Sequence, residues 1–247
     1  MVKYCKHILL TKFSNTADVF VKQTMFYTLL NHHLLQFLFH SPIKVKNYKY
    51  DKYLVFAHNF SRFDGMFVLK SLFKYVKDNG FAIDILKRDS DFINISIKSP
   101  ESKEFEINFR DSFLLLPGSL KSLAKSFGVE DKGIFPYNFV NDPNISLDYV
   151  GNVPDFKHFS NISIEQYNEY CEIDTNRGKW DLKMQTIKYC NLDCEVLYNI
   201  LLVFANEISK DLGITLQYTP TTSSMALKAF ITKFLKPDVQ IPIITGE

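Results

Sequence analysis

The feature that most constrains this chain is a short apolar strand. It leads directly into a polar turn and then into a helix with one apolar face. Residues 52–57 are rich in Tyr, Leu, Val and Phe and are bounded by polar residues, so they predict a buried strand. From Asp64 onward apolar residues recur at helical spacing, and Asn79-Gly80 suits the left-handed end of a helix. A strand, a turn and a helix in succession indicate an α/β unit.

The elements that follow predict a mixed sheet covered by helices. Alternating apolar residues predict three further strands: 81–86, 92–98 and 105–109, the last extended by Leu114–Leu116. Ser119 is the predicted N-cap of a short helix that ends at Gly128, and a long helix over 181–211 stops at Gly213. Strands with helices packed over them predict an α/β layer architecture.

The composition restricts the partners and cellular locations that can be expected for this chain. The 29 Lys and Arg residues nearly balance 27 Asp and Glu, so net charge alone does not indicate a nucleic-acid partner. The apolar stretch Met25–Phe39 contains polar residues and is too short for a membrane span, which favours a buried or amphipathic helix and no membrane partner. No leading signal or Arg-rich transit peptide is recognised. The cysteines form no CxxC pair and are expected to be reduced.

Two acidic residues stand where packing does not call for them. Asp64 directly follows the predicted strand end, and Asp193 interrupts the apolar stripe of the long helix four residues after Tyr189. Converging carboxylates suit Mg²⁺, and two metals about 4 Å apart serve phosphodiester hydrolysis. The residues alone also allow simpler interpretations. Asp64 also suits a helix N-cap, and Tyr189 and Phe63 also suit packing in a hydrophobic core.

Three segments, in order along the chain, carry a family resemblance: His58-Asn59-Phe60-Ser61-Arg62-Phe63-Asp64-Gly65, residues 109–128, and Tyr189-Cys190-Asn191-Leu192-Asp193. They resemble, respectively, the second exonuclease motif, the central segment and the third exonuclease motif of the protein-primed family B DNA polymerases carried by linear plasmids of fungal and plant mitochondria. Residues 221–230 resemble the stretch that follows the exonuclease domain. The resemblance covers about 52–245. It implies a ribonuclease-H-like 3′-5′ exonuclease fold, an α/β domain with a mixed sheet flanked by helices.

The resemblance also implies roles for individual residues. Asp64 and Asp193 are the expected ligands of Mg²⁺ or Mn²⁺, and Tyr189 the phenol that positions the attacking water. Asn59 and Phe63 are expected to hold the 3′ end of single-stranded DNA, and Ser119 and Leu120 to contact single-stranded DNA or a terminal protein. Lys132 matches a lysine that neutralises phosphate charge. Asn59 and Ser119 equally suit a plain turn and a plain cap.

Two departures from the family pattern shape the expected activity. The family's first motif, Asp-x-Glu, is not found, and Ala17-Asp18-Val19-Phe20 carries Phe20 where Glu is required. The sequence ends before the Tyr-x-Gly-Gly loop and the polymerase motifs. We therefore expect this chain by itself to bind metal weakly if at all and not to polymerise DNA.

The expected organisation has three parts and a mitochondrial location. Residues 1–50 form an N-terminal segment, 51–213 an exonuclease-like domain with a surface excursion at 129–170, and 214–247 the start of the connection to a polymerase domain. Three hypotheses follow. The chain is a fragment of a DNA-directed DNA polymerase for DNA replication and proofreading, an inactive module that binds single-stranded DNA or terminal protein, or a plasmid-derived remnant without function.

Overall fold

The computed structural model describes residues 52–62, 64–78, 80–99, 106–129, 133–146, 148–175, 179–236 and 238–239, and for some of these, Asp64 among them, the backbone alone. The strands are β1 (Lys52–Ala57), β2 (Ala82–Arg88), β3 (Asp91–Lys98), β4 (Glu106–Asp111), β5 (Val150–Gly151) and β6 (Trp180–Asp181). The α-helices are α1 (Asp64–Asp78), α2 (Leu120–Ser126), α3 (Tyr137–Val140), α4 (Ile164–Thr175), α5 (Leu182–Leu212) and α6 (Thr222–Ala229).

A four-stranded mixed sheet organises the domain. Its strand order is β1-β4-β3-β2, in which β1 pairs parallel with β4 and the other pairs are antiparallel. The parallel register places Ala57 opposite Asp111 at the carboxyl ends of β1 and β4. The chain therefore leaves both strands at the same edge of the sheet.

The two faces of the sheet are covered by different helices. On one face α1 packs over an apolar cluster: Val55, Ala57, Phe60, Leu69, Leu72, Val76, Ile95, Ile97, Ile107 and Phe109. On the other face α2 and α5 pack with Phe56 over a second cluster: Leu115, Leu120, Leu123, Ala124, Val196, Leu197, Ile200, Leu201, Phe204 and Leu216. Alternation along β1 sends Val55 and Ala57 to one layer and Phe56 to the other. The α/β class with a mixed sheet flanked by helices is confirmed, in agreement with the ribonuclease-H-like fold expected from the sequence.

A polar ladder crosses the second face beyond β1. The Asn108 amide oxygen accepts from Ser96 Oγ at 2.8 Å and from Asn94 Nδ2 at 2.8 Å. Arg110 donates to Asn94 Oδ1 and to the backbone oxygens of Leu216 and Gln217 at 2.8–2.9 Å. This buried arginine ties the segment after α5 to the sheet.

Two sequence-based expectations need correction. Residues Leu114–Leu116 do not extend β4, because Asp111 ends the strand and its side chain caps a 3-10 helix over Ser112–Leu114. The turn-rich stretch predicted as a surface excursion carries buried aromatic residues. Phe135, Phe139 and Phe159 are at most 7% exposed, and the first two belong to a third cluster with Trp180, Leu182 and Tyr189. Its turns lie at the surface while its aromatic rings form core.

The long helix confirms its sequence signals. Asp181 caps α5 by accepting from Met184 N, and Gly213 ends it in the left-handed conformation at φ 65°. Among the described residues, no helix combines the length and apolar character required to cross a bilayer. Among the described residues, Cys171, Cys190 and Cys194 are not joined in disulfides.

Candidate functional site

The turn between β1 and α1 is held in an uncommon backbone conformation. Asn59 lies at φ 62°, in the left-handed region that Asn tolerates better than most residues. Two residues into α1, a Cβ on Gly65 would lie 2.9 Å from the backbone oxygen of Phe60 and 3.1 Å from the Phe92 ring. Close approach of the backbone therefore requires glycine after Asp64, whose backbone begins α1.

Hydrogen bonds from the end of β4 secure this turn. The Asp111 carboxylate accepts from Ser61 N through Oδ2 at 3.0 Å and from Phe113 N through Oδ1 at 2.9 Å. Ser112 Oγ donates to the backbone oxygen of Ala57 and lies 3.0 Å from His58 Nδ1. The opposite ring nitrogen of His58 donates to the backbone oxygen of Gly118 at 2.8 Å. His58 thus holds the turn in place through its two ring nitrogens.

Tyr189 and Asp193 both face inward from α5. Tyr189 is 6% exposed and Asp193 3% exposed, and they lie one helical turn apart. Burial, and next the Asp193 carboxylate, raises the pKa of Tyr189 far above its usual range, so the phenol stays protonated and can donate. A buried carboxylate beside a protonated phenol is an arrangement that packing alone would avoid, because an ionised group is costly to bury.

Aromatic residues from the turn-rich segment fix the Tyr189 ring. The hydroxyls of Tyr137 and Tyr189 lie 2.5 Å apart, and the Phe135 ring stacks on Tyr189 with centroids separated by 4.8 Å. Burial also raises the pKa of Tyr137. A Cβ on Gly133 would lie 2.9 Å from Leu192 Cδ1, so this backbone passes directly over α5 beside Tyr189. The phenol is consequently held from three sides by residues of one segment.

The predicted DNA-contacting pair on α2 divides into two environments. Ser119 is exposed and caps α2 by accepting from Ser122 N at 3.1 Å, so its reading as a cap is confirmed. Leu120 is 6% exposed and belongs to the core cluster between α2, α5 and the sheet. Ser119 is thus presented to solvent from a helix that Leu120 anchors.

The donor chemistry fits a hard divalent cation. The carboxylate oxygens of Asp193 suit Mg²⁺ or Mn²⁺, and its Oδ1 atom is completely buried. Within the ranges described above, no three His, Cys, Asp or Glu side chains form a metal-binding group. The Asp64 side chain, Phe63, Lys132 and residues 1–51, which include Ala17–Phe20 and Met25–Phe39, lie outside the described side chains or residues.

Sequence reasoning did not identify four residues that shape this site. Asp111 is the last residue of β4, and a search for acids at strand ends, as was applied near Asp64, would have found it. Ser112, Gly133 and Tyr137 carry no comparable local signal, because their partners lie 52 to 59 residues away along the chain. The structure brings Asp111 to the turn that leads to Asp64, and brings Tyr137 to the Tyr189–Asp193 pair.

Comparison with known proteins decides the family. Residues 44–247 match the model of DNA polymerase type B, organellar and viral. The chain belongs to this family. The predicted resemblance is therefore confirmed.

Relatives in the family are much longer than this chain. The chain is 37% identical over 208 residues to a probable DNA polymerase of Neurospora intermedia, a match that covers 81% of this chain and 21% of the relative. It is 35% identical over 199 residues to a probable DNA polymerase of Ascobolus immersus, covering 77% and 16% respectively. The chain spans about a fifth of the length of these relatives.

A solved structure also aligns with the chain. Phi29 DNA polymerase, complexed with primer-template DNA and incoming nucleotide substrates, aligns over 90% of this chain and 29% of its own at 18% identity, with a TM-score of 0.40.

Proposed function

We propose that this chain is the editing region of a protein-primed type B DNA polymerase. It binds the 3′ end of single-stranded DNA with Mg²⁺ or Mn²⁺ held by Asp64 and Asp193. Asn59 and Phe63 seat the terminal nucleotide by hydrogen bonding and stacking, and Ser119 contacts the strand from the start of α2. Tyr189 orients the water that attacks the phosphodiester.

The observation that carries this proposal is the buried Tyr189–Asp193 pair. Both side chains point inward from an otherwise apolar stripe, and Phe135 and Tyr137 fix the phenol. A plain core would place apolar groups there, since a buried carboxylate lowers stability unless something compensates it. A divalent cation, when bound, would add its charge to the partners of this carboxylate and polarise a phosphate oxygen.

The fold supports convergence of the two acids. The stripe of α5 continues from Asp193 into Val196 and Leu197, which share a core cluster with Phe56 at the end of β1. The turn that follows β1 leads within seven residues to Asp64. Gly133, which follows Lys132 in the sequence, lies over Tyr189 and Leu192.

The proposal assigns domains and a location as well. Residues 51–213 form the editing domain, and the segment from 214, which Arg110 holds through the backbone oxygens of Leu216 and Gln217, leads toward a polymerase domain. A terminal protein is the second proposed partner. Resemblance to fungal polymerases supports action on a linear plasmid in the mitochondrion. Organelle fractionation with an antibody to this chain would test the mitochondrial location.

Fluorescence anisotropy with a 5′-labelled linear single strand tests the proposed function. An unlabelled linear strand should displace this probe at lower concentration than an unlabelled circular strand, and Mn²⁺ should strengthen only binding of the linear strand. Asp64→Ala and Asp193→Asn should remove this metal-supported gain, a loss of about tenfold or more because direct ligands are deleted. Asp211→Asn, at an exposed position of α5, is the matched control.

Degradation of the same strand separates editing from binding. No Asp-x-Glu sequence occurs within residues 1–63, so we expect weak cleavage by the chain assayed by itself. If binding depends on Asp64 and Asp193 but the strand is not cleaved, the hypothesis of an inactive binding module would be supported. Absence of any metal-supported preference for 3′ ends would contradict the proposed function and favour the remnant.

A further inference from the structure

A buried carboxylate outside the recognised motifs holds the turn that leads to Asp64. Asp111 is 2% exposed and lies opposite Ala57 at the carboxyl end of the parallel strand pair. Its two oxygens accept from backbone amides on different segments, Phe113 N and Ser61 N. Hydrogen bonds to an ionised acceptor are among the stronger ones in proteins, so Asp111 fixes these two segments relative to each other.

The two oxygens of Asp111 have separable tasks. Oδ1 caps the 3-10 helix over Ser112–Leu114, a task that a serine hydroxyl also performs at helix starts. Oδ2 reaches across 50 residues of sequence to Ser61 N and contributes nothing to that cap. A carboxylate is required at this position only if the second contact matters.

The second contact fixes the turn from the side of β4. On the opposite side Ser61 Oγ accepts from Phe92 N at 2.8 Å, at the start of β3. Two residues before Ser61, which is held from both sides, Asn59 adopts its left-handed conformation, which persists only where the surroundings hold it in place. Asp64 begins α1 three residues after Ser61, so its placement follows from this clamp.

We propose that Asp111 is a positioning residue for the editing site, acting on metal binding through the Ser61 amide and the placement of Asp64. This inference rests on the proposed function, because it assigns Asp64 to the metal. Residues that orient a metal ligand without touching the metal typically change metal affinity by about 10- to 100-fold when replaced.

The test compares Asp111→Ser with Asp181→Ser in the full chain. Serine keeps a cap oxygen at both positions, and Asp181 caps α5 through Met184 N without contacting the turn. Asp111→Ser should raise the Mn²⁺ concentration that half-saturates the gain in single-strand affinity by about tenfold. Asp181→Ser should shift it by less than about twofold.

A double-mutant cycle separates positioning from general destabilisation. In an Asp64→Ala background, Asp111→Ser should change residual DNA affinity by less than about twofold, because the ligand through which it acts is gone. A merely structural role would lower affinity in both backgrounds. If Asp111→Ser does not fold cooperatively, Asp111→Asn keeps the size and one acceptor while facing the Ser61 amide with an N–H group.

The outcomes distinguish the two claims. Metal-supported binding that survives Asp64→Ala would overturn the proposed function and this inference with it. Loss in Asp64→Ala together with an unchanged Mn²⁺ requirement in Asp111→Ser would overturn this inference alone. An equal loss from Asp111→Ser in both backgrounds would show that Asp111 only stabilises the fold.

Discussion

Replacing Arg110 with methionine should detach the segment after α5 from the sheet. Arg110 is 8% exposed, and burial lowers the pKa of its guanidinium while Glu106 opposes that effect. Its three hydrogen bonds reach Asn94 Oδ1 and the backbone oxygens of Leu216 and Gln217. Methionine keeps much of the apolar stem, so the substitution removes mainly the charge and these bonds.

The expected magnitude follows from the environment of each acceptor. A hydrogen bond to a charged group contributes about 1.5–3 kcal/mol net. Leu216 is buried, so its oxygen loses its arginine donor, whereas Gln217 is exposed and its oxygen turns to water. Removal of a poorly solvated cation offsets part of the loss. We expect Arg110→Met to lower the free energy of unfolding by about 2–4 kcal/mol.

Urea unfolding with linear extrapolation measures this change, and hydrogen exchange of the amides at 216–219 should accelerate. Arg88→Met is the matched control, because Arg88 is exposed at the end of β2 and should change stability by less than about 0.5 kcal/mol. A loss below about 1 kcal/mol from Arg110→Met would refute the claim that these bonds hold the segment to the sheet.

Three further predictions address the turn, a cap and pH. Gly65→Ala should lower the free energy of unfolding by about 1–3 kcal/mol, because its Cβ would meet the Phe60 oxygen, and an unchanged urea midpoint would show that the turn relaxes. Ser119→Ala should cost about 1 kcal/mol while Ser119→Asp retains stability, and equal loss in both variants would exclude the capping role. The raised pKa of Tyr189 implies stability that is fully present below about pH 10 and declines as pH rises further, since the unfolded phenol ionises first. Tyr189→Phe should flatten that decline in urea titrations, and an unchanged slope above pH 10 would contradict it.

Much of the fold could be predicted from the sequence, because the residues that determine each element lie close together along the chain. The strand at 52–57 and the helix from Asp64 were predicted because apolar spacing and the Asn79-Gly80 stop lie within a few residues of each other. The boundaries of α5 followed from its cap and from Gly213. The end of β4 was predicted incorrectly. The strand ends at Asp111 because the Asp111 side chain accepts hydrogen bonds from the backbone amides of Ser61 and Phe113. The first of these lies 50 residues away.

The candidate site, too, could be predicted only where the residues that indicate it lie close together in the sequence. The Tyr189–Asp193 pair was detectable because an acid interrupts an apolar stripe, and both side chains are buried as that pattern indicates. Tyr137 lies in a segment without periodicity, so nothing local identified its contact with Tyr189. Buried aromatic residues between turns gave no signal that distinguishes core from surface.

Iron-directed cleavage would show whether Asp64 and Asp193 bind one metal, because Fe²⁺ can replace Mg²⁺ at oxygen ligands and, with peroxide, cuts the backbone beside its own site. We expect cuts in two separate segments, near 59–64 and near 189–193, both suppressed by excess Mg²⁺ and both lost in Asp193→Asn. Cleavage confined to one of these segments, or cuts that persist in Asp193→Asn, would contradict a metal site shared by Asp64 and Asp193.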